Sequence, residues 1–283
     1  MARRSRIHKP NTIYHVMLRG NDGQHIFFSE EDRLCMCFLL QEGCERFGHF
    51  IHSFCFMSNH IHLAMQVGDI SISRVIQNLA FRYTRYINKK HNRIGHLFQG
   101  RFRSIMVVGK EYLKELLRYI HLNPVRSFLT GKPEEYLWSS HRAYLMQTDF
   151  VWLTRDNFLS MFGVRREESV RNYEAFVLKG IGIEPEFDFK CGTADGILGD
   201  GEVIERFLLS TKKLQKHEIL LSELVTHICE RFNISEEALR SPSKNRKESF
   251  ARSVLALFVR ESQGISIEEL ALVLRREPSG LSK

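Results

Sequence analysis

Two histidines one residue apart, His60 and His62, are residues whose type and spacing suggest chemistry. They open the alternating stretch His60-Ile61-His62-Leu63-Ala64-Met65-Gln66. In an extended strand, residues i and i+2 project from one face. The two imidazoles therefore stand side by side, while Ile61 and Leu63 turn to a core on the other face. A pair of neutral imidazoles is a natural set of ligands for a divalent metal. On spacing alone, a pair of hydrogen-bonded, partly buried histidines explains the stretch as well.

A second group lies in Tyr112-Leu113-Lys114-Glu115-Leu116-Leu117-Arg118-Tyr119-Ile120-His121-Leu122-Asn123-Pro124. Leu113, Leu116, Leu117 and Ile120 recur at helical spacing and form the buried stripe. Glu115, Tyr119 and Asn123 follow one another at i, i+4 on an adjoining face. A tyrosine there is either a packed rim residue with a satisfied hydroxyl or a nucleophile. His121 is next but one to Tyr119 and could move protons, but the i+2 offset turns it to another side of the helix.

Charge narrows the partner. Residues 1–127 hold 19 Lys+Arg against 9 Asp+Glu, whereas residues 128–283 hold 22 against 24. Between Arg74 and Arg103 there are eight basic residues and no acidic one: Arg74, Arg82, Arg85, Lys89, Lys90, Arg93, Arg101 and Arg103. A solvated face mixes signs, whereas a one-signed field suits a polyanion such as nucleic acid. Phe81, Tyr83 and Tyr86 are interleaved with these charges. They can stack on unpaired bases, although the spacing of Leu79, Tyr83 and Tyr86 fits core packing equally. The arm Arg3, Arg4, Arg6 and Lys9 either enters a groove or is disordered.

The elements that must position these residues can be read from period and punctuation. Ile13–Leu18 reads as a strand. Ser29-Glu30-Glu31-Asp32 opens a helix that Gly48 stops. Phe50–Met57 and His60–Gln66 form a hairpin across Ser58-Asn59. Ser71 to about Asn92 is a long basic helix, Arg101–Val108 a strand, and Glu111–Asn123 a helix ended by Pro124. The order β-α-β-β-α-β-α predicts an α+β fold, a ferredoxin-like split βαβ antiparallel sheet with helices on one face. A covering segment and linker are expected over 128–200 and a mostly helical domain over 201–283. The six cysteines form no Cys-x-x-Cys pair, so reduced, mostly buried thiols are expected rather than a zinc or redox site. No apolar run is long enough for a membrane span and no signal-peptide pattern follows the basic start. A cytoplasmic protein without a membrane partner is the expectation.

Four stretches now occur in order: Phe56-Met57-Ser58-Asn59-His60-Ile61-His62-Leu63, Gly95-His96-Leu97-Phe98-Gln99-Gly100-Arg101-Phe102, Tyr119-Ile120-His121-Leu122-Asn123-Pro124-Val125, and Trp138-Ser139-Ser140-His141-Arg142-Ala143-Tyr144. Over about residues 7–150 this set resembles the REP-associated tyrosine transposases, relatives of the single-tyrosine transposases among the histidine–hydrophobe–histidine endonucleases. The resemblance implies a metal-dependent enzyme that cuts and rejoins single-stranded hairpin DNA through a 5′-phosphotyrosine. It implies Tyr119 as nucleophile, His60 and His62 as ligands of Mg²⁺ or Mn²⁺, and Asn123 as a third ligand, its carboxamide oxygen suiting a hard cation. Arg82, Arg85, Lys89 and Lys90 are expected to hold DNA, with Gln99, Arg101 and Arg103 at the scissile phosphate. A monomer or a homodimer fits.

From about Lys244 the chain resembles the DNA-binding domain of the replication initiator DnaA, on Ala251-Arg252, Gly264-x-Ser266 and Arg275-Arg276. Ser266-Ile267-Glu268-Glu269 is a capping box, and helix-turn-helix places Arg275 and Arg276 as DNA contacts. The recognition helix would begin only at the end of the chain, so the region is either cut short or vestigial; a small helical cap or oligomer contact is the plain alternative. Two other functions compete with the enzyme. One is a regulator that keeps the fold without the chemistry. The other is a phosphodiesterase using water, which would need carboxylate ligands for which Asp69 and Glu115 are the nearest candidates.

Overall fold

The computed structural model describes residues 8–146, 150–189, 196–206, 221–243, 245–261 and 266–281. The basic arm Arg3, Arg4 and Arg6, Cys191 and the Gly264 turn lie outside the described residues. The chain divides into two compact units, Met1–Glu205 and Arg206–Lys283.

In the first unit β1 (Ile13–Arg19), α1 (Glu30–Phe47), β2 (Phe50–Phe56), β3 (His60–Gln66), α2 (Ile72–Lys90), β4 (Arg103–Val107) and α3 (Lys110–Arg126) follow in that order. The strands lie β2-β3-β1-β4 and all neighbours among these four are antiparallel. This is the split βαβ order read from the sequence. A fifth strand, β5 (Ile197–Leu198), adds two residues parallel to β4 and makes the sheet mixed. Shorter helices α4 (His141–Leu145), α5 (Asp156–Leu159) and α6 (Arg166–Leu178) complete the described part of the unit.

The α+β class stands, but the expectation of helices on one face does not. Phe56 of β2, which packs beside Phe54, meets Phe27, and Phe27 in turn meets Tyr83, so α2 lies on their side of the sheet. Cys55 of β2, Ala64 of β3 and Ile105 and Val107 of β4 instead pack against Leu116, Tyr119 and Ile120 of α3. Both faces are apolar enough to need cover, and α3 closes the second one. Its buried stripe is the one legible in the sequence. That stripe fixes which helical face meets the sheet.

Pro124 does not end α3, which runs on to Arg126. Proline withdraws the N–H that would reach the Ile120 carbonyl. Side chains support the backbone beside it, with Asn123 Nδ2 (2.8 Å) and Arg126 Nη1 (3.2 Å) both donating to the Tyr119 carbonyl. At the other end of the helical layer, Ser29 and Asp32 form the capping box of α1. The buried Asp32 also receives Lys90 (2.8 Å) and His91 (3.1 Å) from the end of α2. Burial works to raise this carboxyl, but Lys90, the Phe28 N–H and His91 together hold it down to about 2.

The outer edge of β2 would expose unpaired backbone. The segment after α3 covers it: the Phe56 N–H donates to Trp138 O, the Ser140 N–H to Phe54 O and the Thr154 N–H to Ile51 O. His52 sits in a bulge of β2 and bridges Gln66 to the Thr154 carbonyl. These residues of the expected covering segment and linker lie in the first unit, where α4 and α6 also pack on α3 through Leu117, Leu122, Tyr144, Tyr173 and Val177.

The second unit is helical: α7 (Leu221–Phe232), α8 (Glu236–Arg240), α9 (Arg246–Glu261), α10 (Ile267–Leu274) and α11 (Pro278–Leu281). Leu224, Ile228, Leu239, Leu255, Leu270 and Leu274 form its core. The capping box on Ser266 and Glu269 is present. Cys35, Cys37, Cys44, Cys55 and Cys229 are free thiols. Among the described residues no helix is long and apolar enough to cross a membrane.

Candidate active site

The hairpin of β2 and β3 places the histidine pair. Met57 N–H bonds to His60 O across the Ser58-Asn59 turn (2.9 Å), so His60 starts β3 at the tip. His60 is half-buried and His62 is 4% exposed. Their ring centroids stand 4.9 Å apart, as the alternation of a strand requires. His60 Nδ1 lies 2.6 Å from Asn59 Oδ1, and Asn59 Nδ2 donates to Gly23 O (3.2 Å), which fixes the carboxamide orientation. The oxygen can only accept, so His60 Nδ1 carries the proton and Nε2 the lone pair.

Tyr119 comes to the same place from α3. Its ring meets that of His62 edge-on with centroids 5.7 Å apart. It also packs on Phe189 (5.0 Å), and the Arg126 guanidinium sits 5.4 Å above its centroid. Tyr119 is 6% exposed. Burial pushes its phenol above the ordinary value, Arg126 works against that, and Asp188 adds to it.

One residue at the centre was not singled out from the sequence. His15 of β1 is fully buried, with Nε2 2.8 Å from His62 Nδ1 and Nδ1 3.0 Å from the Phe189 carbonyl. Its ring stacks on His62 (5.1 Å) and meets Tyr119 edge-on (5.6 Å). Burial lowers its pKa to about 4, against the hydrogen bond to Phe189. The available signal was parity: His15 shares its face with the apolar-flanked Ile13 and Met17, a position where an imidazole needs a partner.

Register also decides which arginines join the site. Directly opposed residues on antiparallel strands share a face. Met17 opposes both His62 and Arg103, and Arg19 opposes His60. Exposed Arg103 thus emerges on the histidine face, two strands from His62, and exposed Arg19 emerges beside His60. The Gln99 N–H bonds to Arg19 O (2.8 Å), which brings the Gly95–Phe102 motif alongside the same end of β1. Arg19 was missed because it lies outside the basic run.

The basic helix α2 lies across the sheet from the histidines. Arg82 makes a two-pronged pair with Glu42 (2.7 Å each) and Lys90 is held by Asp32. Arg85 and Lys89 are exposed, Arg85 standing over Phe81. Tyr83 is core, its hydroxyl donating to Ile26 O (2.7 Å). Asn123 is buried on the Tyr119 side of α3, and with Nδ2 committed to the Tyr119 carbonyl, Oδ1 is the atom suited to a cation. His121 faces away into a buried network with Ser140 and Tyr173. Glu115 pairs with Arg118 (2.6 Å), and Asp69 follows the far end of β3. Among the described residues no cluster of three or more His, Cys, Asp or Glu is placed to hold a metal. In the second unit Arg276 donates to the Ser241 carbonyl and Arg275 is exposed in the left-handed region.

Residues 8–123 match the family model described as the IS200-like transposases. The match covers less than half of the chain. Members of that family are DNA-cleaving and strand-transferring enzymes, and the matched residues run from just before β1 to Asn123, taking in the four antiparallel strands and Tyr119. Among solved structures, the REP-associated tyrosine transposase bound to a REP hairpin is similar at 14% identity and a TM-score of 0.46, over 55% of this chain and 98% of that one. Among curated proteins, none matches the chain.

Proposed function

We propose that the first unit is a transposase domain that cuts and rejoins single-stranded hairpin DNA with Tyr119 as nucleophile and a divalent cation held by His60 and His62. The observation that carries the reading is the contact of Tyr119 on α3 with His62 on β3, two elements that share no local reason to meet. The donor set fits a cation: two imidazoles on one strand face, with the Asn123 carboxamide oxygen one turn beyond the tyrosine. Mg²⁺ or Mn²⁺ bound there would draw charge from a scissile phosphate oxygen.

The chain's own groups do the rest. Arg103 and Arg19 flank the histidines and hold phosphates on either side of the scissile bond. The Tyr119 oxygen attacks phosphorus, the bond to the 3′-oxygen breaks, and the phenol proton ends on the departing 3′-hydroxyl. The 5′-phosphotyrosine conserves the bond energy, and a second 3′-hydroxyl reverses the step to join strands. Arg126 above the ring favours the phenolate, which a phenol with a pKa of ~10 needs near neutral pH. The net positive charge of residues 1–127 suits the polyanion.

Covalent trapping tests this. Protein is mixed with end-labelled single-stranded hairpin DNA from the flanks of its own gene, with Mn²⁺ or Mg²⁺, and run on a denaturing gel. A shifted protein–DNA band that is lost in Tyr119→Phe and with chelator is expected. Cleaved product without an adduct would assign the nucleophile to water, and binding to several hairpins without cleavage would make the protein a regulator.

A further inference from the structure

We infer that His15 is a positioning residue that fixes the tautomer of His62, accepting its Nδ1 proton so that His62 Nε2 faces the cation unprotonated. The inference rests on the reading that His60 and His62 hold a divalent metal. A chain of two hydrogen bonds carries it, from the Phe189 carbonyl to His15 Nδ1 (3.0 Å) and from His15 Nε2 to His62 Nδ1 (2.8 Å).

The direction of each bond follows from what its end can do. A carbonyl oxygen only accepts, so His15 Nδ1 must carry a proton. A neutral imidazole carries one proton, which leaves His15 Nε2 as an acceptor. The proton between the two rings then belongs to His62 Nδ1, and the lone pair of His62 sits on Nε2. The opposite direction would require a cationic His15. That ring is fully buried and its two nitrogens face a carbonyl and another imidazole, so neither nitrogen meets a counter-charge. Burying an uncompensated charge is the costlier choice, because an ion taken out of water loses its hydration with nothing to replace it.

The consequence is specific to this site. An imidazole protonated at Nε2 cannot ligate through that nitrogen, and its Nδ1 is turned into β1. Without an acceptor at position 15, nothing on β1 holds the proton of His62 on Nδ1. Asn59 performs the same task for His60 by a different group, its Oδ1 taking the Nδ1 proton. The two ligands are thus pre-set by separate partners, one in the hairpin turn and one on β1. Partners of this kind, one bond removed from a metal, typically change its affinity 10–100-fold. The anchor of the chain is Phe189, the residue that also packs on Tyr119, so one segment holds the tyrosine and orients a ligand.

The test uses full-length, metal-free protein labelled with ¹⁵N-histidine. Long-range ¹H–¹⁵N correlation reads which ring nitrogen bears the proton, and His62→Gln assigns the signals. His62 is expected to be protonated at Nδ1 in the wild type. Calorimetric Mn²⁺ titration then compares His15→Leu, which removes the acceptor, with His15→Gln, whose amide oxygen restores one. His15→Leu is expected to bind Mn²⁺ about 10–100-fold more weakly and His15→Gln to recover most of the loss, which also covers the case in which His15→Leu does not fold. A proton on His62 Nε2 in the wild type, a folded His15→Leu that binds as tightly as wild type, or a His15→Gln no better than His15→Leu would overturn the inference. Wild-type protein that binds no Mn²⁺ would instead defeat the metal reading itself, and the imidazole shifts alone would then decide the direction of the hydrogen bond.

Discussion

Tyr119 meets His62 edge-on, ring centroids 5.7 Å apart and planes at 85°, although a helix and a strand separate them in the chain. The contact gives the two histidines of the pair unequal roles. His62 is buried between Tyr119 and His15, whereas half-buried His60 leans on the hairpin turn. Replacing His62 by Ala strands His15 Nε2 in the interior, at about 1–3 kcal/mol for a buried unpaired polar atom. His62→Ala is therefore expected to lose adduct formation and to lower the denaturant midpoint, and His60→Ala to lose adduct formation with its midpoint nearly unchanged. Chemical denaturation beside the trapping gel distinguishes the two; equal midpoints would contradict the buried partnership.

Arg126 is expected to set the pH at which Tyr119 works. Its guanidinium lies 5.4 Å over the ring and opposes the effect of burial on the phenol. Replacing it by Gln removes a charge that favours phenolate, so the Tyr119 pKa rises further. Under saturating DNA, the rising limb of the adduct-formation rate against pH should move to higher pH in Arg126→Gln, with the rate at neutral pH falling. An unshifted limb would show that the proton leaves through another group.

Much of this arrangement is legible in the residues themselves. Alternation puts His60 and His62 on one face, the i, i+4 spacing puts Tyr119 and Asn123 together, and the βαββαβ order dictates the strand neighbours. What escapes depends on long-range packing. The amphipathic stripe of α3 shows that one face is buried but not which face of the sheet it covers, so its position opposite α2 cannot be read. The role of His15 needs the register of β1 on β3, and a single histidine in an apolar strand carries no local mark of its partner. Pro124 argues for a helix end, and only the side chains of Asn123 and Arg126 on the Tyr119 carbonyl explain why the helix continues.

The division of the basic residues between the two faces leads to a separation of binding from chemistry. Arg85 and Lys89 lie on α2, away from the histidines, while Arg103 shares their face. Arg85→Ala with Lys89→Ala should weaken hairpin binding and flatten its salt dependence by about 0.7 in log–log slope for each single-strand phosphate no longer neutralised, leaving the adduct rate at saturating DNA unchanged. Arg103→Ala should lower that rate as well. Arg82→Ala is expected to act mainly on stability, since Arg82 is bound to Glu42. Filter binding at several salt concentrations and single-turnover trapping read these effects separately.

The buried histidine network behind α3 should make the fold sensitive to mild acid. Ser140 Oγ donates to Phe54 O (3.2 Å), His121 Nε2 donates to Ser140 Oγ (2.7 Å), the Tyr173 hydroxyl donates to His121 Nδ1 (2.7 Å), and His141 Nδ1 donates to the Tyr173 oxygen. Each proton is used once; a second proton on His141 would sit on Nε2, which is buried without a partner, and one on His121 would oppose the proton that Tyr173 already donates to Nδ1. Burial accordingly lowers His141 to about 4 and His121 well below the ordinary value, and it lowers His49 to about 4 as well. Above the unfolded value of about 6.5 both states are neutral and the stability is complete. Below it the unfolded chain takes up protons that the folded chain refuses, so stability falls as the pH drops from about 6.5 toward 4, each unit of pKa difference being worth about 1.4 kcal/mol per group. The urea midpoint is therefore expected to be level above neutrality and to fall steadily through that window. His141→Gln, which keeps a donor for Tyr173 but cannot be protonated, should fall less steeply. A wild-type midpoint constant from pH 7 to 4.5, or a His141→Gln profile parallel to it, would show that these rings accept protons without opening the core.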